Sequence, residues 1–396
     1  MNCFPEEPLH LTESHGSGYF AGYPGLKLHG GRYTIIGKLG WGPRSSTWLV
    51  KDSQDDECYA ALKVLTAHES RLGIEESNIA SAATGYFTSL IDSFLITSNH
   101  GHEISTHQCF VFPAQSVSIE DLRLTSPTGA LSATLVRWIS SNALVALNKV
   151  HKAGFVHGHV SAGNFYFETV DEIENVEYLW EKHEVPPCVV EEWVTVDTRR
   201  YPIVRSHPIP LHFKWDTPIE SAGPFDIRVA NFAYLQKANT VYHPSSWEGS
   251  RMPRAIRPPE AVLELPHSQF KADIWQFGCM VFHLLTGEPM VPNDKALDDT
   301  TMFSWLVAMA GGEHEIPWNL VAQSSLIGPK FFTDGVYGHE IPRVTLEERI
   351  HAKAWISPED IPGIVWFLRV CLCMNPDHRF RVMELWRCKW LAGYYD

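Results

Sequence analysis

The hydrophobic pattern of this 396-residue chain changes period once, near Pro127, and that change restricts what it can fold into. Before it, RYTIIGKL, SSTWLVKD and CYAALKVL are short stretches rich in β-branched and aromatic residues, separated by Gly, Pro, Asp and Gln. They predict three successive antiparallel strands. A helix is expected over Ser70 to Ala83, and SLIDSFLI and HQCFVFPA add two further strands. After Pro127, Leu131, Leu135, Trp138, Ile139, Leu144, Leu147 and Val150 recur at threes and fours. That spacing predicts a long helix with one buried face, ending near Gly154, and helices dominate the remainder. The expectation is an α+β chain with a small antiparallel β-sheet lobe carrying one helix and a larger, mainly helical lobe. Residues 1 to 31, rich in Gly, Pro, His and Glu, read as an irregular arm, with order expected to begin near Arg32. Two polar, Pro-interrupted stretches, about 168–225 and 290–350, are too long for ordinary connections and read as insertions.

Composition narrows the function classes. With 44% hydrophobic residues, 14 Trp and 20 Phe, the chain has ample material for a core. A formal net charge of −14 argues against a general nucleic-acid binder and suits a basic protein partner. The cysteines at 3, 58, 109, 188, 279, 371, 373 and 388 form no Cys-x-x-Cys pair and no short-loop framework, so a reducing, cytoplasmic or nuclear compartment is expected. No apolar run is long enough to span a bilayer.

Three segments carry chemistry. LGWGPRSSTWL places Gly40 and Gly42 in a strand-turn-strand, where a missing side chain lets backbone N–H groups approach phosphate oxygens. A hairpin turn with two glycines would read the same way without any ligand. Lys63 lies inside the apolar run YAALKVL, where a cation needs a partner or an anionic ligand, and Glu76 in the predicted helix is a candidate partner. HKAGFVHGHVSAGNF follows the long helix directly.

Taken together these residues resemble the protein kinase superfamily. RYTIIGKLGWGPRSSTWLVKD, ALKVLTA, the SLIDSF strand and RPPEAVLELPHSQFKADIWQFGC are similar to the SR-protein-kinase-like serine/threonine kinases, especially short fungal ones, over about residues 30 to 391. The resemblance implies a bilobal kinase-like domain over 32–391, with 32–115 as small lobe and 116–391 as large lobe. It implies ATP as ligand, held by Gly40, Gly42, Ser45, Lys63 and Glu76, with Phe112 and Ala114 at the hinge that meets the base. Ser45 stands where other kinases carry the third loop glycine, as in that group. Protein partners or substrates, Arg/Ser-rich ones in particular, follow by the same analogy.

The chemical positions depart from the family. His157 and Asn164 keep the spacing of H-R-D-x-x-x-x-N, but His159 stands at the catalytic Asp position and Ser161 at that of the following Lys. D-F-G reads Asn231-Phe232-Ala233. The metal positions are then Asn164 and Asn231, and a neutral amide is a weak ligand for Mg²⁺, so Mg²⁺ is not carried over. Pro113 removes a hinge N–H donor. Structural elements are better kept: Arg257-Pro258-Pro259-Glu260 matches A-P-E, Asp273 to Gly278 matches D-x-W-x-x-G, and Glu260 is expected to pair with Arg379. Three readings stay open: a pseudokinase acting as scaffold or regulator, an active serine/threonine kinase using His159, and an interaction protein that binds no nucleotide. His157-Gly158 also matches the H-G-D of small-molecule phosphotransferases, which lack A-P-E and D-x-W-x-x-G. His100, His102 and His107 could suggest a metal site, but a polar strand connection explains them better.

Overall fold

The computed structural model describes residues 5–55, 58–73, 79, 89–100, 103–168, 176, 180–181, 189–196, 199–238, 254–265, 269–292, 298–322, 324, 328–333 and 336–392. The chain divides into two compact units, Met1–Val117 with Tyr166–His212, and Ser118–Phe165 with Phe213–Asp396.

The first unit is built on a six-stranded sheet of order β1-β2-β3-β4-β6-β5. Its strands are β1 (Lys27–Leu28), β2 (Tyr33–Gly42), β3 (Ser45–Asp52), β4 (Tyr59–Leu65), β5 (Asp92–His100) and β6 (Glu103–Pro113), all paired antiparallel. On one face Tyr33, Trp48, Val50, Leu62 and Val111 pack with Phe20 of the arm and Val204. On the other face Leu49, Tyr59 and Ala114 pack with Val176, Trp180 and Ile209. Burial on both faces explains why YAALKVL is apolar apart from Lys63 and does not alternate.

Two expectations change here. The arm is ordered well before Arg32: Leu9, Tyr19 and Phe20 are buried, and Lys27–Leu28 adds strand β1 beside β2. Its order comes from packing onto the sheet, which no local period announces. Of the helix expected over 70–83, residues 70–72 fall in a separate short helix, α1 (Ala67–Leu72), capped by Thr66 and closed by Gly73 in a left-handed conformation, and Ile79 is helical and buried. Most of the rest of that stretch, Glu76 included, lies outside the described residues. Within the 168–225 stretch a hairpin pairs Val190–Val196 with Arg199–Val204.

The second unit is mainly helical among its described residues. Helix α2 (Ala133–Lys152) starts at Ser132, whose hydroxyl accepts from Leu135 N, and its buried stripe includes Leu135, Val136, Ile139, Leu144, Leu147 and Val150. It ends at Lys152, with Ala153 as its cap and Gly154 beyond at φ +81°. Helix α3 (Gln269–Thr286) carries Asp273, Trp275 and Gln276, all fully buried. The expected pair is present: Arg379 binds Glu260 through two bonds of 2.6 Å, with both side chains out of solvent. Arg379 also donates to Cys373 O at 2.7 Å and stacks 5.0 Å from the ring centre of Trp275. No helix among the described residues is long and apolar enough to cross a membrane.

Candidate active site

On the first unit the Gly-rich segment is the β2–β3 hairpin, in which Gly42 faces Ser45 and Gly40 faces Thr47. A Cβ added at Gly40 or Gly42 would meet no atom within 4 Å, and neither residue has a positive φ. The chain's own described packing therefore gives no reason for glycine at either place, whereas an approaching ligand would. Tyr19 Oη donates to Gly42 O at 2.8 Å and the Tyr19 ring meets Trp41 edge-on at 6.0 Å, so the arm holds the turn. Burial and the nearby Glu7 carboxylate push the Tyr19 hydroxyl pKa up to about 12. Lys63, half-buried, sits in β4 between Thr47 and Phe110. Phe112 lies 6.4 Å from Phe110, opposite Ala61, and Ala114 is buried.

The second unit positions the other residues through one buried carboxylate. Asp273 accepts from His157 N and Gly158 N, each at 2.8 Å, and lies 2.8 Å from His151 Nε2. Gln276, one helical turn on, accepts from Val160 N at 2.7 Å and donates to Gly158 O at 3.2 Å. The loop backbone is thus tied to α3 at successive residues. Gly158 needs its missing side chain: at φ +77° a Cβ would sit 2.7 Å from Tyr234 O. Burial drives the His157 pKa below the usual histidine range, with Asp273 and the carbonyl of Ala230 only partly opposing it. The unfolded chain then binds a proton that the folded chain refuses. Stability is fully present above about pH 6.5 and falls as pH drops below it. Urea midpoints measured from pH 7.5 to 5 should show this loss, with a shallower slope in His157→Phe.

His159 meets the ring of Tyr234 edge-on at 4.9 Å. Its carbonyl accepts from Asn164 Nδ2 at 2.8 Å, which fixes the Asn164 amide with Oδ1 pointing the other way. That oxygen accepts from Asn231 Nδ2 at 2.9 Å. Asn231 is left-handed, φ +65°, a conformation Asn tolerates. Ala230 N donates to Asn164 O at 2.9 Å, and Asn164 N to Ser161 O at 2.9 Å. His159, Ser161, Asn164 and Asn231 therefore form one constellation, and within it two amides bond directly to each other. A carboxylate in place of Asn231 would set two acceptors face to face and call for a cation between them.

Other sequence readings settle into structure. His107 bonds Leu65 O at 2.9 Å and Ser98 Oγ at 2.8 Å, so both its nitrogens are engaged within the strands. The roles of Asp273 and Gln276 were not deducible from their motif letters alone.

No family model matches the sequence. Over 377 residues it is 23% identical to a serine/threonine protein kinase of Aspergillus fumigatus, covering 91% of this chain and 85% of that protein. It is 22% identical over 290 residues to the serine/threonine-protein kinase SRPK of Physarum polycephalum, covering 70% of this chain and 66% of that one. A solved kinase domain superposes with a TM-score of 0.63 at 16% identity, covering 94% of this chain and 98% of that domain. The chain is a distant homologue of serine/threonine protein kinases. Fungal and SR-protein-kinase members of that group are among its relatives. The kinase fold is present, with its N-terminal antiparallel sheet and helical C-terminal region.

Proposed function

We propose that this kinase-like protein is a pseudokinase, a scaffold or regulator that does not turn over ATP. The observation that carries the reading is the Asn231 Nδ2 to Asn164 Oδ1 bond. It joins the two positions expected to share Mg²⁺ through a bond between neutral amides, so neither position offers a carboxylate. Mg²⁺ prefers carboxylate and phosphate oxygens at near-octahedral geometry, and two neutral amides offer little toward that. With His159 at the catalytic position and Ser161 at that of the Lys, proton acceptance and charge stabilisation are weakened in the same site. The open space above Gly40 and Gly42, with Lys63 on the same hairpin-bearing sheet, supports ATP as the ligand this surface retains. By homology, the partner is a protein, and the acidic chain suits a basic, Arg/Ser-rich one. The test is phosphate transfer from labelled ATP to an Arg/Ser-rich peptide in Mg²⁺, for which no product above a protein-free blank is expected.

A further inference from the structure

The face of the small sheet that bears Lys63 is partly covered by the chain itself. Leu49 pairs with Ala61, and Ala61 with Phe112, so these residues share the Lys63 face by the two-residue period of strands. At its hinge end Leu49 is 0% exposed and Ala114 1%, packed with Val176, Trp180 and Ile209, with Ile36 and Leu39 at the margin. Two isolated bridges show how the cover is laid. Ser206 bridges Lys38, two residues before Gly40, and Ile209 bridges Ser116, two residues after Ala114. Residues 206–209 therefore run from the foot of the Gly-rich turn to the hinge strand.

The run is fastened at both ends. His207 N donates to Lys38 O at 2.7 Å, and Ser116 Oγ donates to Ile209 O at 2.9 Å. Trp180 Nε1 reaches Pro208 O at 3.4 Å. At the far end Glu6 of the arm accepts from Ser206 N at 3.1 Å, from Ser206 Oγ at 2.8 Å and from Lys38 Nζ at 2.9 Å. Lys38 is buried and also bonds Glu7 and Val204 O. A buried ammonium held by two carboxylates is a costly arrangement to dismantle, so the fastening is firm.

We propose that Trp180 and residues 206–209 form a built-in plug, seated where the flat base of a purine nucleotide would lie and pinned by Glu6. The inference rests on the reading of the Lys63 face as the nucleotide surface. ATP then competes with the chain's own aromatic and apolar residues, and the arm sets how readily the plug lifts.

The test uses the full chain with ATP as probe, followed by calorimetric titration. Trp180→Ala should bind ATP at least tenfold more tightly than wild type, and adding Lys63→Ala should remove the gain. Glu6→Ala, which leaves the aromatic in place, should shift affinity the same way by threefold or more if Trp180→Ala fails to fold. Where wild type does bind ATP, hydrogen exchange at His207 N should accelerate on binding. Unchanged or weaker affinity in both variants, a gain that survives Lys63→Ala, or ATP binding with His207 still protected would each overturn the plug. None of these readouts involves phosphate transfer, so failure here leaves the pseudokinase reading standing.

Discussion

Arg379→Ala should destabilise the helical unit by about 3–5 kcal/mol, because it removes the countercharge and both of its bonds from the fully buried Glu260 carboxylate. The loss is larger than the pair's own net worth. Arg379 also satisfies the carbonyls of Cys373 and Lys271 and lies against Trp275, and these groups would be left facing a cavity. Urea unfolding should show the midpoint falling steeply, whereas replacing both partners with apolar residues of similar volume should cost much less. Equal losses for the single and the double replacement would show that packing, and not an uncompensated charge, dominates.

The second large effect is expected at Asn231→Asp. The substitution removes the donor facing Asn164 Oδ1 and sets a carboxylate against that oxygen, while Asn164 stays anchored by its bond to His159 O. In the absence of divalent cations the variant should lose about 1–3 kcal/mol. Millimolar Mg²⁺ should return most of that loss to the variant and leave wild type unmoved, since the cation can bridge a carboxylate and an amide oxygen but has little to bind in the native pair. Thermal unfolding of both proteins with EDTA or Mg²⁺ reads the difference directly. A wild-type protein stabilised by Mg²⁺ as strongly as the variant would contradict the role given to the amide pair.

Local pattern carried much of this into the sequence. The strands β2 to β4, the long helix α2 and the Glu260–Arg379 pair are legible because period and motif spacing are local properties. The substituted positions His159, Ser161 and Asn231 could be read residue by residue, and the structure brings them together around Asn164. What stayed hidden is non-local. Nothing near Glu6 or Lys38 predicts that they meet, since 32 residues separate them and both look like ordinary surface charges. Trp180 and Ile209 lie in a stretch whose polar, Pro-interrupted composition reads as loop, and their burial depends on a sheet face built from distant strands. The arm is the same case: Gly, Pro and His mask residues whose order comes only from docking.

The central claim is that the constellation around Asn164 does not transfer phosphate. Its most direct test is a single-turnover assay with labelled ATP, Mg²⁺ and an Arg/Ser-rich peptide, run side by side on wild type and His159→Ala. The account predicts that both stay at the protein-free blank; product formed by wild type and abolished by His159→Ala would contradict it and establish a kinase that uses histidine in place of aspartate.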